Sequence, residues 1–162
     1  MTKKEIDDAL RTMVNESSRS WGRISYQAKR VFDEWAMREL AQQGYPNFKM
    51  AYMPLLMNIG VDGNTNKEIA AKSRVTKQAM SKVVKELEDL ELIKVSAHLT
   101  DKRSVMIFLT DRGKKMVYTA KIHVKALTNE YKKIIGDKNY ELMIDSLSEI
   151  IAYHDSACGK LP

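Results

Sequence analysis

The chain has 162 residues, 44% of them hydrophobic and 30% charged, which is enough to bury a core and suits one globular domain. No apolar run approaches the roughly 18 residues that a membrane span needs, so no membrane partner is expected. A single cysteine, Cys158, excludes an internal disulfide, and the opening residues MTKKEIDDALRTMV lack the apolar stretch of a secretory signal, so a cytoplasmic location is the expectation.

In chain order the pattern is mostly helical. Ile6, Leu10 and Val14, four residues apart, predict one or two helical turns. Trp21, Ile24, Ala28, Val31, Trp35 and Leu40 then recur at steps of three to five, predicting a long amphipathic helix that ends near Gly44. Residues 51–60, AYMPLLMNIG, predict a short buried helix with Pro54 tolerated in its first turn. Residues 66–73, NKEIAAKS, predict a helix of only two turns, followed by Arg74, Val75 and then Thr76, a good N-cap. From Thr76 the segment TKQAMSKVVKELEDL sets Met80, Val83, Val84, Leu87 and Leu90 on one stripe, with Lys77, Gln78, Ser81, Lys82 and Lys85 opposite.

The period then changes. Ile93, Lys94 and Val95 and the run from Val105 to Leu109 predict two strands of a hairpin around a polar tip. From Thr110 a long helix is expected, with Met116, Tyr118, Ala120, Val124, Leu127, Tyr131 and Ile134 on one face. Asp111 in its first turn and Lys132 and Lys133 in its last complement the helix dipole. A final helix after Gly136 uses Tyr140, Met143, Ile144, Leu147, Ile150 and Ile151. The fold class expected is mainly α with a small β-hairpin, that is α+β.

A short helix, a tight turn, a second helix and a hairpin make a winged helix-turn-helix, whose second helix enters the DNA major groove. Residues 67–85 carry six basic side chains against Glu68 alone, a net +5, whereas residues 136–162 carry a net −3. A basic middle of this kind suits double-stranded DNA. On the second helix Gln78 suits adenine, Ser81 a base or phosphate, and Lys82 guanine or phosphate, while Thr76, Lys77 and Lys85 suit backbone oxygens. At the hairpin tip, HLTDKRS, Arg103 is a long cation suited to the minor groove, and Asp101 can fix its guanidinium. Taken without DNA, an Asp–Arg pair on an exposed turn is only a surface ion pair.

With these residues in view, the chain resembles the multiple-antibiotic-resistance regulator (MarR) family. Residues 66–73 and 76–90 are similar to its helix-turn-helix, and Leu92 and Ile93 to its entry into the wing. Asp101, Lys102 and Arg103 resemble its Asp-x-Arg wing motif, and Leu109, Thr110 and Gly113 its Leu-Thr-x-x-Gly helix start. The motifs are specific over residues 66–116, and over the flanks the likeness is one of helix order. The resemblance implies one domain over residues 1–162, with a winged helix-turn-helix at 51–116 and dimerisation helices at 1–44 and 117–162. It implies a homodimer on a pseudo-palindromic operator, with Arg74, Thr76, Lys77, Gln78, Ser81, Lys82, Lys85, Asp101, Lys102 and Arg103 at the DNA. Terminal helices with apolar faces broader than a winged helix alone can cover agree with a dimer.

The resemblance also implies a pocket for a small aromatic or phenolic effector that lowers DNA affinity, here lined by Trp21, Met53, Met57, Met116 and Tyr118. Methionines and aromatics at helical spacing are more often ordinary core. Oxidant sensing through an N-terminal cysteine is not expected, because Cys158 lies near the other end. His154 and Cys158 are four residues apart, but two ligands do not make a metal site, and no metal or cofactor is expected. His98 falls on the wing and His123 near an apolar face, where a structural role suffices. No G-x-S-x-G, glycine-rich phosphate loop or H-E-x-x-H occurs, so an enzyme is not expected. The rival to DNA binding is a winged helix serving protein contacts, which would carry an apolar or acidic recognition face.

Overall fold

A computed structural model of the chain describes residues 1–16, 19–73, 77–97 and 104–157. The protein is mainly helical with one small antiparallel sheet, the class expected. It divides into two compact units, Met1–Gly113 and Lys114–Pro162.

In the first unit, α1 (Lys3–Glu16) is opened by a capping box. The Glu5 amide donates to Thr2 Oγ1 (3.3 Å) and the Thr2 amide to Glu5 Oε2 (2.7 Å). Helix α2 (Trp21–Gln42) ends before Gly44, whose φ of +89° is left-handed backbone that glycine adopts without strain. Of its predicted apolar face only the last part is covered: Leu40 is buried, together with Ala36, and Trp35 half-buried, while Trp21, Ile24 and Val31 are exposed.

The helix expected over residues 51–60 is shorter. A 3-10 turn (Met50–Tyr52) runs into α3 (Met53–Leu56), with Pro54 in its first turn as expected. Its end is set locally, because Asn58 Nδ2 donates to the Pro54 carbonyl (2.6 Å) and the chain turns at Met57 and Asn58.

Strand β1 (Asn64–Thr65) leads directly into α4 (Asn66–Ser73), then α5 (Lys77–Asp89), β2 (Ile93–Ala97), β3 (Val105–Leu109) and the start of α6 (Asp111–Ile135). The sheet has the order β1-β3-β2, with Ile93 opposite Leu109 and Asn64 opposite Ile107. The hairpin was expected, and β1 adds a third strand. Leu55, Leu56, Ile69, Leu87, Leu92 and Ile107 are fully buried and form the core of this unit. Along β3 Ile107 and Leu109, on one face of the pleat, are buried, Met106 and Phe108 on the other are half-buried, and Val105, on the same face as Ile107 but at the wing end, is exposed.

In the second unit, the rest of α6 and α7 (Asp137–Ala157) are joined at Gly136, with φ +83°. Lys132 Nζ bridges to Glu141 Oε1 (2.6 Å) and lies over the Tyr140 ring, 5.2 Å from its centroid. Glu141 foremost holds the Lys132 amine above the usual lysine range. Met116, Val117 and Ala120 are buried, whereas Tyr118, Ile134, Leu142, Ile151 and Tyr153 are exposed. Among the described residues no helix is long and apolar enough to cross a membrane.

Candidate nucleic-acid interface

Helix α4 starts at a second capping box, formed by Thr65 and Glu68. The Glu68 amide donates to Thr65 Oγ1 (3.2 Å), and the Thr65 amide to Glu68 Oε2 (2.8 Å). The Thr65 amide foremost, then the Thr65 hydroxyl and the Asn64 side chain, hold the Glu68 carboxyl below the usual carboxylate range. At the far end Ser73 Oγ donates to the Pro54 carbonyl (2.9 Å), tying α4 to α3.

Helix α5 buries one side and exposes the other. Met80 and Leu87, two turns apart, are buried, with Val83, Val84 and Leu90 half-buried beside them. On the other side Gln78, Ser81, Lys82 and Lys85 are all exposed, which brings four of the predicted DNA contacts onto one face. Arg74, Thr76, Asp101, Lys102 and Arg103, the side chain of Lys77, and His98 lie outside the described residues.

Two carboxylates on the flanks of α5 anchor it, and sequence reasoning missed both. On one flank Glu86 Oε2 accepts from Tyr52 Oη (2.6 Å) and Lys49 Nζ (3.2 Å). Tyr52 is itself buried and packs edge-on against Phe48, with ring centroids 5.3 Å apart. The Tyr52 hydroxyl, then Lys49, hold the Glu86 carboxyl below its usual range; burial, then Glu86, push the Tyr52 hydroxyl up. On the other flank Glu88 Oε1 accepts from the Val95 amide (3.2 Å), binding α5 to the first wing strand. The Tyr52–Glu86 pair is separated by 34 residues, so no local pattern could have disclosed it.

The turn from α5 into the wing depends on Glu91, with a left-handed φ of +57°. That conformation costs an ordinary residue roughly 1–2 kcal/mol. Here it aims the Glu91 carbonyl at Thr110 Oγ1 (2.6 Å). Thr110 also caps α6 by accepting from the Gly113 amide (3.0 Å), and its own amide donates to the Leu92 carbonyl (3.1 Å). A Cβ on Gly113 would stand 1.9 Å from that carbonyl oxygen. The Leu-Thr-x-x-Gly motif is thus a joint between wing and helix, in which only glycine fits. Gly63 is similar on the other edge: φ is +79°, and a Cβ would stand 2.4 Å from the Phe108 ring. Ser104 Oγ at the base of β3 lies 3.5 Å from Asn66 Oδ1, linking the wing to the start of α4.

The residues proposed for an effector pocket fall in different settings. Trp21 (54% exposed), Met53 and Met57 belong to the first unit, the last two half-buried. In the second unit Met116 is buried and Tyr118 is 68% exposed. Among the described residues no three His, Cys, Asp or Glu side chains gather as metal ligands. His154 is exposed and packs on Tyr153, His123 is half-buried, and Cys158 lies outside the described residues.

Residues 54–105, from α3 to the first residue of β3, match the model of the MarR family. The transcriptional regulator ZitR of Lactococcus lactis subsp. cremoris (strain MG1363) is 30% identical over 84 residues, or 52% of this chain. That match covers 57% of ZitR, so the chain spans little more than half the length of this relative. Among solved structures, the transcriptional repressor CouR bound to a 23-mer DNA duplex superposes with a TM-score of 0.70 at 22% identity, over 84% of this chain and 95% of CouR. A Staphylococcus aureus MepR–DNA complex gives 0.70 at 20% identity, over 82% of this chain and 96% of that one. FabT of Streptococcus pneumoniae in complex with DNA gives 0.69 at 18%, over 85% and 99%.

Proposed function

Because residues 54–105 match the model of the MarR family, we propose that the chain is a member of it and a DNA-binding transcriptional regulator, acting as a repressor on a pseudo-palindromic operator, and not an enzyme. One observation carries the reading. Gln78, Ser81, Lys82 and Lys85 stand exposed on one face of α5 while Met80 and Leu87 bury the other. A rigidly seated helix presenting amide, hydroxyl and ammonium groups has the chemistry that base edges and phosphates require. That CouR, MepR and FabT were each solved with DNA supports the same reading.

The regulator works as a homodimer in the cytoplasm. Support for the dimer comes from large apolar side chains left exposed on both units, among them Leu10, Met13 and Trp21 in the first and Ile134, Leu142 and Ile151 in the second. Arg74, Thr76 and Lys77 extend the contact at the start of α5, and Asp101, Lys102 and Arg103 extend it through the wing tip. A small aromatic or phenolic effector releases the DNA.

The test is selection from a random pool of roughly 30-base-pair duplexes, with sequencing of those retained. A palindrome with half-sites about one helical turn apart is expected. Retention of no sequence over another would refute operator recognition and favour a winged helix that serves protein contacts. Phenolic acids added to the complex should release the selected duplex; no release by any would refute the effector.

A further inference from the structure

We propose that Tyr52, through Glu86, is a positioning residue for DNA recognition: it fixes the rotation of α5 about its own axis and so sets the aim of Gln78, Ser81 and Lys82. This rests on the reading of α5 as the DNA-contacting helix.

The apolar seat of α5 leaves that rotation loosely defined. Among the described residues of α5 only Met80 and Leu87 are buried, and they lie on one line along the helix, with Val83 and Val84 on either side of that line only half-buried. Apolar burial is non-directional, so one stripe fixes the depth of a helix better than its roll. A roll of roughly 15° carries an atom about 6 Å from the axis through about 1.5 Å. That is enough to break a bidentate hydrogen bond to a base, whose strength falls steeply with distance and angle.

Glu86 lies about 100° around the helix from Leu87, at the edge between the buried and exposed sides. There it meets a directional partner, the Tyr52 hydroxyl at 2.6 Å, with Lys49 at 3.2 Å on the same oxygen. Tyr52 is a fixed post, 3% exposed and held edge-on by the buried Phe48. The opposite flank is held by Glu88 on the Val95 amide (3.2 Å). Helix α5 is therefore braced on both sides of its apolar seat. The contact at Glu86 also keeps its carboxylate on two donors beside Lys82, one turn away on the exposed face.

Tyr52→Phe removes one oxygen and leaves the ring packing in place. Two readouts are needed. The first is amide hydrogen exchange in the free protein: α5 should exchange faster in Y52F while α4 and α6 are unchanged. The second is the ratio of affinities for a selected duplex and a scrambled one, which should fall about tenfold, the worth of one hydrogen bond to a charged group. Binding to the scrambled duplex and its salt dependence should not change, because no charge on the exposed face is altered. E86A should reproduce the loss, and Y52F added to E86A should cost nothing more.

Unchanged exchange and an unchanged ratio in Y52F would overturn the inference while leaving DNA binding intact. So would losses that multiply in the double variant, since the two residues would then act independently. If α5 loosens in Y52F but the wild-type protein prefers no sequence, the DNA-recognition reading has failed, and with it the role assigned to Tyr52.

Discussion

Gly113→Ala should destabilise the protein although the position is helical. Elsewhere in a helix, alanine for glycine gains about 1 kcal/mol. At Gly113 the new methyl would stand 1.9 Å from the Leu92 carbonyl oxygen and 3.0 Å from its carbon. The obstacle is backbone, so no rotamer change relieves it, and the first turn of α6 must move until the 1.9 Å approach exceeds 3.0 Å. That movement stretches the Thr110 amide bond to the same oxygen, now 3.1 Å, and leaves a covered carbonyl short of a partner at a cost of about 1–3 kcal/mol. It also disturbs packing around Leu92, which is fully buried, and Leu109. Overpacking of that site adds about 1–3 kcal/mol, and with the helix-propensity gain of about 1 kcal/mol subtracted the net loss should centre on roughly 2–4 kcal/mol. Urea unfolding at fixed protein concentration measures it, and a fall in Tm of roughly 5–15 °C should accompany it. A G113A protein as stable as wild type would refute the close approach at this joint.

Four further outcomes are expected. Thr65→Ala removes the cap of α4 and should cost about 1 kcal/mol in urea unfolding. The Glu68 and Glu86 carboxyls are both held below their usual value of 4.5, so the stability they contribute is present above that value and is lost as pH falls through their lower folded-state values; Glu68→Gln should flatten the acid limb of a pH–stability profile. Lys85→Ala should weaken binding to all duplexes and reduce the salt slope by about one, whereas Gln78→Ala should relax preference at one base pair at a cost of roughly 1–3 kcal/mol, both read by anisotropy titration. Truncation after Gly136 removes α7 and should leave monomers by analytical ultracentrifugation; a truncated chain that still sediments as a dimer would refute a dimer interface built on that helix.

What the sequence discloses is what local physics encodes. The order α4, α5, hairpin and α6 is legible because helix and strand periods differ, and because Thr110 and Gly113 mark a capped, close-packed helix start. The basic face of α5 is legible because Gln78, Ser81, Lys82 and Lys85 all fall opposite Met80 and Leu87. A usable signal was also present in Thr65-Asn66-Lys67-Glu68, whose T-x-x-E spacing is that of a capping box. Strand β1 is not legible: two residues carry no period, and only pairing with β3 makes them a strand. The early end of α3 follows from one Asn58 side chain, a contact that apolar spacing does not register. The Tyr52–Glu86 anchor is invisible for a different reason, since it joins residues that only the folded core brings together. Exposed positions such as Trp21 and Tyr118 show the converse case, apolar periodicity that the single chain leaves uncovered.

The most direct test of the central claim is an anisotropy titration of the wild-type protein on the selected duplex and a scrambled one, each at two salt concentrations. Recognition through α5 requires a large preference for the selected duplex at both concentrations, with both affinities falling steeply as salt rises. Equal affinities for the two duplexes would contradict it, because the face of α5 would then be supplying charge alone and reading no bases.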